Sequence, residues 1–344
     1  MAKIIAVVGA TGSQGGSVAR TFLKIPGWEV RGITRNRNSS AARELTELGV
    51  KIVEADLDDV ESLESAFSGA SAVFGVTDFW QFVQSPKTHE LAQSENITWN
   101  EACYRLELRQ GINIIDAVAK VAQDRVLERL VLSTLSDAKR ASKGKYTWVY
   151  HYDGKAHFVQ YLEKKGQSEP EYQRLFEKTS YVQLGGYLDN WKKNPIFAPQ
   201  KQADGSYVWF TVRGSSPIEH EHTLPVVHPP TDTGPFVEAL VLKAPPQTTL
   251  LGASGLSTLP DFVKLWGSIL KVEARVQELS IEDVDAKFPG GLGREVGETV
   301  AYVREYGWDG GEGAILPEKA GVDLAALTDP VAYIRDTDWS SVVN

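Results

Sequence analysis

Short apolar runs alternate with stretches of helical periodicity through the first half of the chain. The runs are rich in Val, Ile and Leu without strict polar alternation, which is typical of strands buried on both faces of a parallel sheet. Six strands are predicted, at Ile4–Val8, Glu29–Ile33, Val50–Glu54, Ala72–Val76, Arg129–Ser133 and Tyr181–Leu184. Five helices are predicted between them, at Gly15–Lys24, Ala41–Leu48, Val60–Phe67, Arg105–Val121 and Gly154–Lys164. This alternation predicts right-handed βαβ crossovers and a doubly wound parallel α/β sheet.

The pattern changes after residue 190, where shorter elements and turns replace the regular alternation. Asp204-Gly205 predicts a turn before a strand at Tyr207–Val212, and Asp232–Leu242 and Gly290–Tyr306 predict helices. We therefore expect a dinucleotide-binding domain over residues 1–190. Residues 191–344 are expected to form a smaller, mixed α/β substrate-binding cap that shares sheet elements with the first domain.

Two longer segments follow predicted strands and carry many aromatic residues. Residues 78–104 follow the fourth strand and residues 135–152 follow the fifth. Both leave the carboxyl ends of strands, where open α/β sheets bind ligands, and ligand pockets are mostly apolar and aromatic. Ordinary loop packing is the alternative explanation. The residues expected to line a substrate pocket are Trp80, Trp99, Tyr104 and, after the sixth strand, Tyr187.

The first predicted strand runs directly into a glycine-rich turn with the spacing Gly-x-x-Gly-x-x-Gly, and a helix follows. In this position the glycines allow a tight turn, close approach of a pyrophosphate and close packing of the helix on the strand. The helix N-terminus offers N–H groups and partial positive charge to the phosphates. The turn therefore predicts dinucleotide binding. The residues expected to contact the cofactor are Gly9, Thr11, Gly12, Ser13, Gln14 and Gly15.

The end of the second strand indicates which dinucleotide binds. Proteins that bind NAD usually place Asp or Glu there, about 20 residues past the glycines. This chain has Thr34-Arg35-Asn36-Arg37 and no acid. Because the arginine guanidinium suits a 2′-phosphate, Arg35 and Arg37 predict NADP(H). Asp56 and Leu57, after the third strand, are expected beside the adenine, unless Asp56 simply caps the next helix.

The ordered set of motifs resembles the NmrA-like family, an atypical branch of the short-chain dehydrogenase/reductase superfamily, over nearly the whole chain. The segments that carry the resemblance are Val8–Gly16, Thr34-Arg35, Glu54–Asp58, Val76–Trp80, Asp153-Gly154-Lys155, Leu184–Asn190, Asp232–Leu242 and Phe288-Pro289-Gly290. The resemblance implies a Rossmann domain, a smaller substrate domain and NADP(H) binding. The further residues then expected at the cofactor are Thr77, Asp78, Phe79, Lys155 and Tyr187. Some members of the family look like redox sensors for a transcription factor, whereas others resemble reductases, including ones that act on fungal secondary metabolites.

The parent superfamily uses a Tyr-x-x-x-Lys pair, whose side chains lie one helical turn apart on the same face. Lys155 matches the lysine, but His151 stands where the tyrosine would be. Imidazole can donate a proton near neutral pH. The candidate catalytic residues are therefore Lys155, His151 and Ser133, which ends the fifth strand. The alternatives are that His151 only begins the helix and that Ser133 only terminates the strand.

Composition narrows the class of protein further. The 344 residues carry a net charge of −9 without a long basic run, which disfavours nucleic-acid binding. The single cysteine, Cys103, excludes an internal disulfide and cysteine-based metal clusters. Glu219–His222 with His228 lacks the spacing of a known catalytic metal site, so no metal is expected. A secretory signal and a membrane-spanning run are both absent, and a cytoplasmic location is expected.

These observations favour an NADPH-dependent oxidoreductase. Its expected substrate is a small molecule with aromatic or apolar bulk, such as a fungal secondary metabolite. The substrate would accept hydride at a carbonyl, enone or imine/iminium carbon, and a cyclisation could be coupled to this reduction. An iminium needs no strong acid, which suits the missing tyrosine. The alternative is a non-catalytic redox sensor, in which NADP(H) selects between conformations and a regulatory protein partner reads the result.

Overall fold

Seven strands, paired in parallel throughout, form the main sheet of the protein. The computed structural model describes residues 2–124, 126–214 and 222–343. The strands are β1 Lys3–Val8, β2 Trp28–Thr34, β3 Lys51–Glu54, β4 Ala72–Gly75, β5 Arg129–Thr134, β6 Thr179–Leu184, β7 Gly186–Tyr187, β8 Gln200–Lys201, β9 Tyr207–Val212, β10 Leu224–Val227, β11 Thr249–Gly252, β12 Gly255–Ser257 and β13 Ala274–Leu279. The α-helices are α1 Ser13–Phe22, α2 Ser40–Glu47, α3 Val60–Phe67, α4 Pro86–Glu95, α5 Trp99–Val121, α6 Ala138–Ala141, α7 Tyr150–Gly166, α8 Pro170–Phe176, α9 Asn190–Lys193, α10 Pro229–Leu242, α11 Leu259–Leu270, α12 Ile281–Lys287, α13 Leu292–Tyr306 and α14 Pro330–Asp336.

The strand order of the main sheet is β3-β2-β1-β4-β5-β6-β11. Strands β2 and β3 lie on one side of β1, and β4, β5 and β6 follow on its other side, so the strand order reverses between β1 and β4. Open α/β sheets bind ligands at such a reversal, beyond the carboxyl ends of the strands. The predicted doubly wound parallel α/β fold is confirmed, and the sheet places its crevice between the ends of β1 and β4.

Alternate residues of β1 enter two different cores, one on each face of the sheet. Ile5 and Val7 join the core formed with α1 and α10, whereas Ala6 and Val8 join the core formed with α3, α5 and α7. All four side chains are at most 2% exposed. Because both faces are covered, the buried part of the strand is apolar at every position, which explains the unbroken run from Ile4 to Val8 in the sequence.

All six predicted strands and all five predicted helices of the first half are present, but several boundaries differ. Helix α5 begins at Trp99, not at Arg105, because Thr98 caps it by accepting the Glu101 N–H. Helix α4 lies inside the segment that the sequence analysis treated as an insertion. The carboxylate that caps α3 belongs to Asp59, which accepts two N–H groups, so the alternative that Asp56 caps this helix is wrong.

Residues 191–344 add one strand to the main sheet and, together with β7, form two smaller sheets. Strand β11, which the sequence analysis did not predict, pairs in parallel with β6. The smaller sheets have the orders β12-β10-β7 and β13-β9-β8. In the described part of the chain, no helix combines the length and the apolarity that crossing a membrane requires.

Candidate functional site

The turn between β1 and α1 needs glycine for reasons of backbone geometry. Gly9 has a φ of +62°, and its carbonyl accepts the Gly12 N–H at 2.8 Å. Helix α1 approaches the strand so closely that a Cβ on Gly15 would lie 2.3 Å from the Gly9 carbonyl oxygen. Gly12 is the N-cap and provides no side-chain acceptor for the first N–H groups of α1. Those groups are therefore free to meet an anion, and the turn fits a dinucleotide pyrophosphate.

A hydrogen bond ties this turn to the strand after β6. The Gln14 side-chain amide donates to the Tyr187 hydroxyl at 2.8 Å, and burial raises the pKa of Tyr187 to about 12. The other amide atom of Gln14, the acceptor Oε1, is buried and has no hydrogen-bond partner among the described residues. Since buried polar atoms are nearly always paired, a donor from a ligand at this position would satisfy it. Thr11 is exposed and Ser13 half-buried beside it.

The side chains expected at the ribose and adenine lie along the ends of β2 and β3. Arg35 and Arg37 are exposed, and neither forms a side-chain ion pair within the described ranges. The Asp56 carboxylate accepts the Asp58 N–H at 2.9 Å, so it forms a local turn. The Leu57 carbonyl accepts the Asn113 amide at 2.7 Å. The two guanidinium groups are thus available for a 2′-phosphate.

Lys155 lies at the centre of a buried network. Its ammonium donates to the Thr77 carbonyl at 3.0 Å, to the Thr77 hydroxyl at 2.9 Å and to the Glu107 carboxylate at 2.5 Å. Glu107 has no exposed side-chain surface, and the Thr77 hydroxyl donates to it at 2.8 Å. These three acceptors engage all three N–H groups of an ammonium. A ligand hydroxyl that bonds to Lys155 must therefore replace one of them.

Sequence reasoning missed Glu107. The available signal was a charge in the apolar stripe of α5, where Cys103, Glu107, Gly111 and Ile114 are all buried. A carboxylate at such a position costs free energy unless it is paired, and the pairing with Lys155 provides the compensation. The pair joins α5, α7 and the segment after β4 at the carboxyl edge of the sheet.

His151 is held by a second buried carboxylate, which sequence reasoning also missed. The Nδ1 atom of His151 lies 2.7 Å from Oε1 of Glu295, and the His151 backbone N–H donates to the same oxygen at 3.0 Å. Glu295 lies on α13, is fully buried, and accepts a hydrogen bond from Asn100 at 2.8 Å on its other oxygen. The imidazole ring is 5.0 Å from the exposed Trp80 ring and 5.8 Å from the buried Phe79 ring.

The tyrosines on either side of His151 pack against other rings. Tyr152 is 1% exposed and packs edge-on against both Tyr302 and the His151 ring, and burial raises the pKa of its hydroxyl well above the ordinary value. The ring of Tyr150 packs near those of Tyr104 and Trp148. His151 is therefore the residue of this stretch that lies one helical turn before Lys155 on the same face of α7.

The remaining predicted site residues lie in different surroundings. Ser133 is 3% exposed within β5, opposite Val182 of β6. Asp78 accepts the Trp80 N–H at 3.0 Å, which fixes the turn after β4. The Tyr104 hydroxyl lies 2.8 Å from Nδ1 of His157, and the Trp99 indole donates to the Gly290 carbonyl. The structure thus brings Trp80 to His151 and Tyr187 to Gln14, while Trp99 and Tyr104 lie along α5.

The described residues contain no group of three or more His, Cys, Asp or Glu side chains arranged to hold a metal ion. His228 accepts or donates a hydrogen bond at 3.0 Å with Thr231 at the start of α10. Glu219, His220 and Glu221, which the sequence analysis considered with it, lie outside the described residues.

Comparison with protein families and curated proteins gives a consistent result. The model of the NmrA-like family matches residues 1–334. The NmrA-like family domain-containing oxidoreductase FrzB of Cladobotryum sp is 29% identical over 248 residues, which are 71% of this chain and 66% of that protein. The NmrA-like family domain-containing oxidoreductase hkm9 of Aspergillus hancockii is 27% identical over 80% of this chain and 75% of its own length.

Solved structures share the fold at low sequence identity. The negative transcriptional regulator NmrA in complex with NADP superposes with a TM-score of 0.66 at 18% identity, covering 99% of this chain and 97% of that one. The NADPH-dependent quinone oxidoreductase QOR2 of Escherichia coli, complexed with NADPH, superposes with a TM-score of 0.65 at 16% identity, covering 96% and 99%. One of these neighbours is a regulator and the other an oxidoreductase, so the fold alone does not assign the function.

Proposed function

This chain belongs to the NmrA-like family, and from this premise we propose that it is an NADP(H)-dependent oxidoreductase acting on a bulky small molecule. The observation that carries the proposal is the imidazole of His151, held by the buried Glu295 one helical turn before Lys155. A protein that only sensed a dinucleotide would need differential affinity between two conformations and no oriented proton donor. The curated relatives named above are oxidoreductases, which supports the same conclusion.

The residues present fit NADP(H). The first N–H groups of α1 would hold the pyrophosphate, and Arg35 with Arg37 would hold the 2′-phosphate. The unpartnered Oε1 of Gln14 would accept a hydrogen bond from the ligand. The cofactor, when bound, supplies the hydride. NmrA structures hold NAD or NADP, and the QOR2 structure holds NADPH, which supports a nicotinamide dinucleotide; the choice of NADP(H) rests on Arg35 and Arg37.

The protein would contribute proton transfer and substrate orientation. The Nε2 atom of His151 would donate a proton to the oxygen or nitrogen of a reduced carbonyl, enone or imine. Lys155, fixed by Thr77 and Glu107, would keep a positive charge beside the reacting groups. The exposed ring of Trp80 next to His151 would stack on an aromatic substrate, or attract an iminium by a cation–π contact. We propose such aromatic or apolar compounds, including fungal secondary metabolites, as the substrate class.

The test is single-turnover oxidation of NADPH with a panel of aromatic carbonyls, enones, imines and iminium dyes. We expect at least one class to oxidise NADPH stoichiometrically. His151→Phe should leave NADPH affinity unchanged and slow carbonyl reduction by about 10²- to 10⁴-fold. Iminium reduction needs no proton, so the same variant should affect it only through the shape of the pocket.

Lys155→Ala should lower NADPH affinity and turnover together, because it removes the charge that Thr77 and Glu107 hold in place. If NADPH binds tightly and no panel member consumes it, the oxidoreductase proposal is overturned in favour of a sensor. Unchanged rates in both the His151 and the Lys155 variants would remove this site from the reaction.

A further inference from the structure

Glu295 makes two kinds of contact with His151, one to the backbone N–H and one to the ring. Its Oε1 atom accepts the backbone N–H of His151 and also lies 2.7 Å from the ring nitrogen Nδ1. Helix α7 begins beside this carboxylate, and its N-cap residue, Val149, has no side-chain acceptor. The backbone contact therefore satisfies a free N–H at the helix start. The contact to the ring satisfies no backbone group of the helix.

A neighbouring glutamate binds backbone N–H groups without touching the imidazole, and it also pairs with Arg294. Glu298 lies one turn further along α13, is 3% exposed, and accepts the N–H groups of Thr147 and Trp148 at 2.7 and 2.8 Å. It touches no catalytic candidate. Glu295 and Glu298 thus share a helix, their burial and hydrogen bonds to the backbone at or just before the start of α7, and they differ in the contact with the imidazole.

The chemistry of the contact defines the state of the ring. With Glu295 ionised, its oxygens accept hydrogen bonds and cannot donate them, and the Nδ1 atom of His151 then carries the hydrogen. The other carboxylate oxygen is held by Asn100 at 2.8 Å, which fixes the plane of the carboxylate. The second ring nitrogen, Nε2, forms no hydrogen bond within the described residues. The His151 side chain is 13% exposed. Nε2 is therefore the nitrogen that can exchange a proton with a ligand.

We propose that Glu295 is a positioning residue that holds His151 in the Nδ1–H state, so that Nε2 alone transfers the proton. The proposal rests on the proposed function for its catalytic meaning. When Nε2 takes up a proton, the buried carboxylate compensates the positive charge of the imidazolium. When Nε2 gives the proton to the substrate, the neutral ring keeps its hydrogen on Nδ1. The orientation of a residue on α7 is thereby controlled from the C-terminal part of the chain.

The test is nitrogen NMR on protein labelled with ¹⁵N-histidine, without cofactor or substrate. The chain has six histidines, and loss of one signal pair in His151→Gln assigns His151. We expect its neutral form to show a protonated Nδ1 and an unprotonated Nε2. Observation of the opposite tautomer in the unaltered protein would overturn the proposal, whatever the protein does with NADPH.

Matched variants separate positioning from capping. The expected NMR pattern, a protonated Nδ1 with an unprotonated Nε2, is called the Nδ1–H signature below. Glu295→Leu should abolish this signature and retain NADPH affinity. It should slow carbonyl reduction by about 10- to 100-fold, which is a part of what a positioned acid supplies. Glu298→Leu should destabilise the fold to a similar extent and leave the signature unchanged. Glu295→Gln retains an acceptor oxygen and should restore the signature, which keeps the test decisive if Glu295→Leu fails to fold.

The outcomes distinguish this proposal from the proposed function. If the signature is present and no substrate oxidises NADPH, the oxidoreductase proposal fails and the positioning contact stands as a property of the ring. If NADPH is oxidised and the Glu298→Leu variant disturbs the ring as much as Glu295→Leu does, the positioning role is wrong.

Discussion

At the scale of single residues, the end of β2 determines which dinucleotide the protein prefers. The exposed guanidinium of Arg35 is expected to bind the 2′-phosphate, so Arg35→Ala should weaken NADP(H) binding by about 1.5–3 kcal/mol, the range for hydrogen bonds to charged groups. Binding of NAD(H), which lacks this phosphate, should be unaffected. Calorimetric titration with both cofactors measures the difference. Arg20→Ala, which removes an exposed ion pair with Glu44, is the control and should change neither affinity. Equal affinity of the unaltered protein for both cofactors would contradict the prediction.

The glycine turn offers a second prediction at this scale. A Cβ on Gly15 would lie 2.3 Å from the Gly9 carbonyl oxygen and 2.6 Å from that of Val8, and neither backbone atom can move alone. Gly15→Ala must therefore displace α1 and should lower the free energy of unfolding by about 1–3 kcal/mol. The displacement should also weaken NADPH binding. A Cβ on Gly12 meets the Gly9 oxygen only at 3.3 Å, so Gly12→Ala should destabilise the fold much less, although it should still hinder the pyrophosphate. Urea unfolding and NADPH titration of the two variants test this, and equal stability of both would disprove the close contact.

Asp153 should make stability depend on pH in an unusual direction. Burial raises the pKa of its carboxyl to about 7; the nearby Asp137 carboxylate adds to the rise and the Lys139 N–H opposes it. An unfolded aspartate titrates near 3.9, so the native state binds the proton more tightly. The contribution of Asp153 to stability is therefore complete below about pH 4, falls as the pH rises to about 7, and stays low above that.

Asp153→Asn should remove this loss, since an amide oxygen can still accept the Lys139 N–H. The variant should be more stable than the unaltered protein at pH 8 by roughly a few kcal/mol at most, given about 1.4 kcal/mol for each pH unit between the two pKa values. At pH 4 the two proteins should be nearly equal. Urea unfolding at both values measures the difference, and an equal gain at both would show that the carboxyl does not titrate in this range.

The sequence identified one member of each buried pair in the site and missed the other. Lys155 and His151 were predictable because their spacing of four residues places them on one face of a helix. Glu107 and Glu295 reach them through tertiary contacts, 48 and 144 residues away along the chain. Local patterns carry no information on such distances, and a lone glutamate in a helix is most often a solvated surface residue.

At the scale of elements, the contact between α1 and α10 supports the dinucleotide turn. The Ser17 hydroxyl accepts the Gly234 N–H at 2.9 Å and donates to the Thr231 carbonyl at 2.9 Å. A Cβ on Gly234 would lie 2.0 Å from the Thr21 hydroxyl and 2.6 Å from the Ser17 carbonyl oxygen. The two helices can approach this closely only with glycine at this position.

Gly234→Ala should therefore lower the free energy of unfolding by about 1–3 kcal/mol, because the added methyl group forces the helices apart. Thr21→Ala in the same chain should recover part of this loss by removing the nearest atom, while the Ser17 contact remains. A double-mutant cycle by urea unfolding measures the coupling. Strict additivity of the two changes would show that Thr21 and Gly234 do not touch.

The starts of helices explain why element boundaries were harder to predict than elements. Helix α3 carries its own capping carboxylate, Asp59, and its predicted bounds, Val60–Phe67, are the observed ones. Helix α7 has no cap of its own and is capped by Glu295 of α13, so the sequence near Tyr150 contains no start signal. The prediction began this helix four residues late for that reason.

At the scale of the whole molecule, the two halves of the chain complete each other. Strand β11 covers the edge of β6, and α10 covers one face of the main sheet with Phe236, Val237 and Leu240, all fully buried. The alternation of strands and helices predicted the fold class, because each unit is local. The place of β11 was not predictable. Its four residues follow two consecutive prolines, and they form hydrogen bonds with a strand about 70 residues earlier in the chain.

A fragment of residues 1–190 should therefore fail to fold on its own. It would leave the β6 edge unpaired and expose the side chains that α10 covers, each worth about 1.5–3 kcal/mol when buried. Such a loss is comparable with the whole free energy of unfolding of an ordinary domain, about 5–15 kcal/mol. The fragment should lack a cooperative urea transition and should not bind NADPH in a fluorescence titration. Co-expression with residues 191–344 should restore both, because the second fragment supplies β11, α10 and Glu295. Cooperative unfolding and NADPH binding by residues 1–190 alone would show that the first half is an independent domain and that these contacts are dispensable.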